Sequence, residues 1–190
     1  MFQEHLAMYN EEMIRLINEL DANEFEKIVA ILLEARKNNR TVFITGNGGS
    51  AATSNHFVCD FGKNAVLDPE KKRFKIISLC DNIEKVTALG NDFRFEEIFS
   101  QQLKNLMEEE DVLILVSASG NSPDLVEACE YAKTKNAHII ALAGFQGGKI
   151  SEYAEAKIIG RSNSYERIED LHSMVLHLLV SYFKTHQELL

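Results

Sequence analysis

The 190-residue chain predicts an α/β fold: a doubly wound, mainly parallel five-stranded sheet with helices on both faces, a three-layer sandwich preceded by N-terminal helices. Three observations predict it. Short β-branched or aliphatic runs alternate with longer segments of helical period. One run, Val112-Leu113-Ile114-Leu115-Val116, is apolar throughout, as a central parallel strand covered on both faces must be. Two Gly- and Ser-rich segments each follow such a run and precede a helical stretch.

The elements follow in order. Residues 3–38 read as helix. Leu6, Met13, Leu16, Ile17 and Leu20 recur at helical spacing, and a second run holds Phe25, Ile28, Val29, Ile31, Leu32 and Leu33. Asp21 and Asn23 can break this stretch into two helices with a cap between them. The apolar stripe of the first helix is narrow and serves either its own domain or another subunit. Thr41-Val42-Phe43-Ile44-Thr45 reads as a buried strand, followed by a helix from Ala51 to about Lys63. A polar turn at residues 68–72 leads to a strand at 75–79. Helices at 83–89 and 95–107 come next, then the central strand at 112–116. A helix at 125–135, a strand at 138–143, a loop at 144–148, a short helix, a strand at 156–159 and a closing helix over about 165–187 complete the pattern. Residues 1–38 are assigned to packing or oligomerisation and 39–190 to the sheet domain, the two forming one structural unit.

Composition narrows the function classes. A hydrophobic fraction of 45% supports a full core, and with only two prolines no long disordered linker is expected. A net charge of −9 and a pI near 5.2 argue against a nucleic-acid or anionic-membrane partner, since both need a basic face. The N-terminus has no signal-peptide core, and no run reaches the roughly 18 apolar residues that span a bilayer. A soluble cytoplasmic protein is expected, with Cys59, Cys80 and Cys129 as buried free thiols in a reducing compartment.

Gly46-Asn47-Gly48-Gly49-Ser50 lies between a strand and a helix. Glycines let the backbone turn tightly and approach a ligand, while the helix start offers free N–H groups. The spacing matches neither a nucleotide P-loop nor a dinucleotide fingerprint. Alone, such a segment is equally a tight connection. The second segment, Ser117-Ala118-Ser119-Gly120-Asn121-Ser122, presents three hydroxyls before a helix with Pro123 in its first turn. Ser122 alone is an ordinary cap, but three serines, a glycine and an asparagine exceed capping needs. Asn47, Gly48, Gly49, Ser50, Ser117, Ser119, Asn121 and Ser122 together suit the phosphate of a phosphorylated sugar. Gly144–Gly148 reads as a further loop, with Lys149 equally a surface residue.

Four groups suit acid–base chemistry. His56 and Asp60 stand four apart and share a helix face. Glu169 and His177 differ by eight residues, about 80° on an ideal helix, so both can face one cleft two turns apart. Singly, each has an ordinary alternative: a solvated carboxylate, an i,i+4 pair, or, for His172 and His177, a core histidine.

The motifs Gly46–Ala51 with His56-Phe57, Gly90–Phe93, Ser117–Asp124, Gly144–Lys149 and Arg167–His172 with His177 resemble the sugar isomerase (SIS) domain. More narrowly, the chain is similar to the phosphoheptose isomerases, which interconvert sedoheptulose 7-phosphate and D-glycero-D-manno-heptose 7-phosphate. The resemblance implies an aldose–ketose isomerase working through an enediol. Asp60 falls where the family has its glutamate base and His177 where it has its catalytic histidine; Asp81 and Glu169 fall near the substrate. It further implies a zinc ion, in some members, on His56, Asp60, Glu169 and His177, no organic cofactor, and a homotetramer with sites between subunits. Several positions depart from the pattern. Aspartate replaces glutamate at Asp60, Ala118 replaces a threonine, Asn64 (with Lys63 beside it) replaces an arginine, and Glu166 replaces an aspartate. These cluster around the sugar rather than the phosphate. They leave open an isomerase for a different sugar phosphate, or a non-catalytic SIS protein that binds sugar phosphates or serves as an adaptor.

Overall fold

The computed structural model describes residues 1–190. Helix α1 (Phe2–Asn18) and helix α2 (Ala22–Lys37) come first. They are separated where the sequence expects, because the Asp21 carboxylate accepts from the N–H groups of Asn23 and Glu24 and so starts a new helix. Five strands follow: β1 (Thr41–Gly46), β2 (Lys75–Ser78), β3 (Val112–Ser117), β4 (His138–Gly144) and β5 (Ala156–Gly160). Between and after them lie α3 (Gly49–Asn64), α4 (Ile83–Asp92), α5 (Ile98–Leu106), α6 (Pro123–Thr134), α7 (Ile150–Tyr153) and α8 (Tyr165–Thr185). The sheet order is β2-β1-β3-β4-β5, and every pair is parallel.

Alternation along the strands sorts side chains into two cores. Val42, Ile44, Val112, Ile114, Val116, Ile140 and Leu142 face α2, α3 and α8. Phe43, Leu113, Leu115, Ile139, Ala141 and Ala143 face α5, α6 and α7. The first core holds an aromatic cluster: Phe61 has ring centroids 4.9 Å from Phe57, 4.7 Å from Phe74 and 5.4 Å from Phe183. Such pairs add about 0.5–1.5 kcal/mol each beyond the area they bury. Helix α2 contributes five buried residues to this core, whereas α1 contributes only Leu16. Phe2, Leu6, Met8, Ile14 and Ile17 of α1 stay exposed.

A few boundaries differ from expectation. Helix α3 starts at Gly49 rather than Ala51, because Gly48 caps it and the glycine-rich segment is already its first turn. The segment after Asp92 opens with a 3-10 turn (Phe95–Glu97) before α5. All three cysteines are free, but burial divides them: Cys59 is exposed, Cys80 half-buried, and Cys129 buried, its thiol pushed up to about 12 by desolvation. The expectation of a buried Cys59 fails because it lies on the face of α3 opposite the buried Phe57 and Phe61 stripe.

Candidate active site

The loops at the carboxyl ends of β1 and β3 flank the point where strand order reverses, which is where doubly wound sheets collect ligands. In the first loop Gly48 has φ 53° and ψ −120°, a conformation open essentially only to glycine. That turn lets the Asn47 carbonyl accept from Ser50 N–H at 2.9 Å and brings buried Ser50 to the helix start. The dipole and free N–H groups of α3 therefore point out of the sheet edge beside β3.

The serine loop is tied from within. Ser117 Oγ accepts from Gly120 N–H at 3.1 Å, and Ser119 Oγ accepts from Asn121 N–H at 3.3 Å. Asn121 donates to the Ser119 carbonyl at 2.9 Å and accepts from Lys149 N–H at 3.0 Å. Its amide thus joins this loop to the one after β4. Gly120 has φ 65°, and a Cβ there would lie 2.1 Å from the Gly147 carbonyl oxygen. The Gly144–Gly148 loop is accordingly a backbone brace behind the serine loop. Ser122 is the N-cap of α6, yet its hydroxyl makes no capping bond and is free for a ligand.

One side-chain bond crosses between the two loops. Asn47 Nδ2 donates to Asp124 Oδ2 at 2.8 Å. Asp124 is only 1% exposed. Burial pushes its carboxyl above the ordinary range, opposed by the hydrogen bonds from Asn47 and from Leu125 N–H. Sequence reasoning missed Asp124. The available signal was an acidic residue directly behind Ser122-Pro123, in a first helical turn that attracts anions.

Helices α3 and α8 run side by side in the same direction from this edge. Gly49 lies under Glu169, whose Oε2 would be 3.0 Å from a Cβ built on that glycine. Thr53 Oγ1 is 3.3 Å from Ser173 Oγ. Further along, His56 Nε2 is 3.1 Å and His177 Nε2 3.6 Å from Asp60 Oδ2. The two imidazoles meet edge to face, with ring centroids 4.9 Å apart. Lys63 Nζ stands 3.7 Å from the other Asp60 oxygen, supplying a cation one position before Asn64. The imidazoles are more than half exposed, at 59% and 53%, and the Asp60 side chain is 23% exposed.

Three of the four expected metal-ligating residues therefore come together; Glu169 stays at the phosphate-loop end. One ligand atom each from His56, Asp60 and His177 lies within 4.8 Å of the others. Tetrahedral zinc with bonds of about 2.0–2.1 Å holds its ligands roughly 3.3 Å apart; the two spacings to Asp60, 3.1 and 3.6 Å, lie near that value, and all three ligand atoms lie within 4.8 Å of one another. Two imidazoles and a carboxylate also match the donor set of catalytic zinc sites with an open fourth position. Asp81 lies in the exposed turn after β2, outside this cluster.

Other motif residues serve structure. His172 is 1% exposed with neither ring nitrogen hydrogen-bonded, and burial pushes it down to about 4. Polar contacts clamp α1 onto the start of α8. Tyr9 Oη donates to Asp170 at 2.5 Å, Arg167 pairs with Glu12 at 2.7 Å, and Arg15 donates to the Arg161 carbonyl at 2.9 Å.

A model of the SIS domain family matches residues 8–144, and the chain belongs to that family. Its curated relatives place it among the phosphoheptose isomerases. Phosphoheptose isomerase from Helicobacter pylori is 35% identical over 158 residues, 83% of this chain and 81% of that protein. The Citrifermentans bemidjiense phosphoheptose isomerase is 36% identical over 174 residues, 92% and 89% of the two chains. Among solved structures, phosphoheptose isomerase from Neisseria gonorrhoeae superposes with a TM-score of 0.87 at 28% identity, covering 97% of this chain and all of that one.

Proposed function

We propose that this chain is a phosphosugar isomerase interconverting sedoheptulose 7-phosphate and D-glycero-D-manno-heptose 7-phosphate through an enediol. The observation that carries the reading is the alignment of the two halves of one site along α3 and α8. The serine and glycine loops stand at the shared start of these helices, and His56, Asp60 and His177 converge further along them. Glu169 and His177 are eight residues apart, about 12 Å of helix rise. An extended seven-carbon sugar phosphate has eight bonds from its first carbon to phosphorus, each advancing about 1.25 Å, so it spans roughly 10 Å, comparable with that rise, whereas a triose phosphate falls far short.

Asp60 takes the proton from the carbon beside the carbonyl, and His177 supplies one to the carbonyl oxygen. Ser50, Ser119 and Ser122, with the N–H groups of Gly48 and Gly49, hold the phosphate; Glu169 and Asp81 lie toward the sugar hydroxyls. If zinc were held by His56, Asp60 and His177, the ion would polarise the carbonyl as a Lewis acid in place of proton donation by His177, whose Nε2 would then be a ligand. Half-exposed imidazoles suit an enediol poorly, because reactive intermediates need water excluded. The exposed apolar stripe of α1, and Leu178 next to His177, support a homotetramer whose subunits cover one another's sites. Residues 1–38 belong in this reading to the same structural unit as 39–190, and the enzyme works in the cytoplasm.

The shorter Asp60 favours one second reading, an isomerase for a related sugar phosphate. Incubation of the purified protein with three- to seven-carbon sugar phosphates, followed by NMR, separates the two. Turnover of the heptose phosphate, lost in Asp60→Asn and His177→Ala while phosphate still binds, is expected. No turnover of any member of the panel, with or without zinc, overturns the enzyme reading.

A further inference from the structure

We propose that Asp124 is a positioning residue for substrate: by holding Asn47 across the gap between the two loops, it sets the phosphate cradle to one width. The proposal rests on the reading that those loops bind the substrate's phosphate. It starts from an anomaly of charge. A carboxylate in the first turn of a helix is ordinary when it is solvated. Asp124 is 1% exposed and lies at the start of α6, directly behind the serine loop, where a phosphate dianion would feel its repulsion. Burying it is costly in itself; its contacts with the N–H groups of Asp124 and Leu125 serve the first turn of α6, where Ser122 makes no capping bond, but they do not require a partner on the other loop.

What Asp124 does is specific. A carboxylate only accepts hydrogen bonds, so the amide nitrogen of Asn47 must be the atom that faces it, and the orientation of the whole Asn47 side chain follows. The Asn47 backbone carbonyl in turn accepts from Ser50 N–H at 2.9 Å and Ala51 N–H at 3.3 Å. Anchoring Asn47 therefore anchors the first turn of α3 relative to α6. On the far side the serine loop packs directly against the backbone of Gly147 and Gly148. Asn47–Asp124 is the side-chain bond that joins the two halves of the cradle, 77 residues apart in sequence.

The test is a double-mutant cycle on the intact protein, reading inorganic phosphate affinity by calorimetry together with kcat and KM. Asn47→Ala and Asp124→Ala are each expected to weaken phosphate binding and raise KM about tenfold, as loss of a charge-assisted bond would, with the double variant no worse than the poorer single. The cluster of His56, Asp60 and His177 is untouched, so kcat is expected to stay within about twofold of wild type. Asp124→Asn keeps an acceptor for Asn47 and removes the repulsion, so it binds phosphate as well as wild type or better. A swap covers the case in which Asp124→Ala does not fold. Asn47→Asp alone sets two carboxylates together and loses phosphate, and adding Asp124→Asn restores the bond and the affinity. Additive losses, a fall in kcat with KM unchanged, or a swap that recovers melting temperature without recovering phosphate would overturn the proposal. Failure of the wild-type protein to bind phosphate at all would instead remove the reading of the loops on which it stands.

Discussion

His172 makes stability depend on pH in a way that can be worked from its surroundings. The ring is sealed between α8 and the sheet, 1% exposed, with both nitrogens unpaired. Desolvation dominates and lowers its pKa from 6.5 to about 4; the nearby Ala143 backbone opposes it but does not reach hydrogen-bond geometry with either nitrogen. The folded state therefore binds fewer protons than the unfolded state between these two values. Stability attributable to this group is full above the unfolded value and falls as pH drops from 6.5 toward 4. At a test condition of about pH 5 the loss comes to about 2 kcal/mol, and it approaches about 3 kcal/mol below the folded value. His172→Leu conserves volume, removes both orphan nitrogens and should abolish this component. Urea unfolding followed by circular dichroism, for wild type and variant at about pH 7.5 and pH 5, isolates it, because all other titrating groups cancel in the comparison. Parallel pH profiles for the two proteins, with no difference near 2 kcal/mol, would refute the account.

Other perturbations have equally definite outcomes. Gly120→Ala places a methyl group 2.1 Å from the Gly147 carbonyl oxygen at φ 65°. It should cost at least about 1–3 kcal/mol in denaturant titration and weaken phosphate binding as the serine loop shifts. Phe183→Ala empties the centre of the aromatic cluster and should cost about 3–5 kcal/mol by the same measurement. Roughly one zinc per chain should bind in calorimetry, and His56→Ala or His177→Ala should abolish that binding, whereas Glu169→Ala should leave it within a few-fold.

Much of this architecture can be read from one-dimensional pattern, and the failures have a common cause. Val112–Val116 announces a doubly covered strand because every position is apolar, and it lies central in the sheet. The break at Asp21 is legible because capping is local chemistry. The start of α3 is not, since glycine and serine are poor helix formers and only the Gly48 turn shows that they begin the helix. Glu169 and His177 both face α3, as their angular spacing allows. Angle alone does not show that Glu169 ends beside Gly49, because its neighbour along the cleft is decided by how α8 is docked in parallel with α3. Asp124 escaped notice for the same reason: its partner lies on a distant loop, and no local spacing points to it.

The parallel docking of α3 and α8 also acts as a ruler. Both helices leave the same sheet edge, so the distance from loops to reacting groups is counted in turns of about 5.4 Å, and side chains return to the cleft only every three or four residues. Such a ruler has coarse graduations. A single-residue insertion or deletion before His177 would swing it about 100° out of phase with Asp60, while a shift of a whole turn would keep the phase and alter the reach. On the proposed assignment of the site, substrate length is then changed in steps, by relocating a histidine or carboxylate to the next turn while the two loops stay as they are.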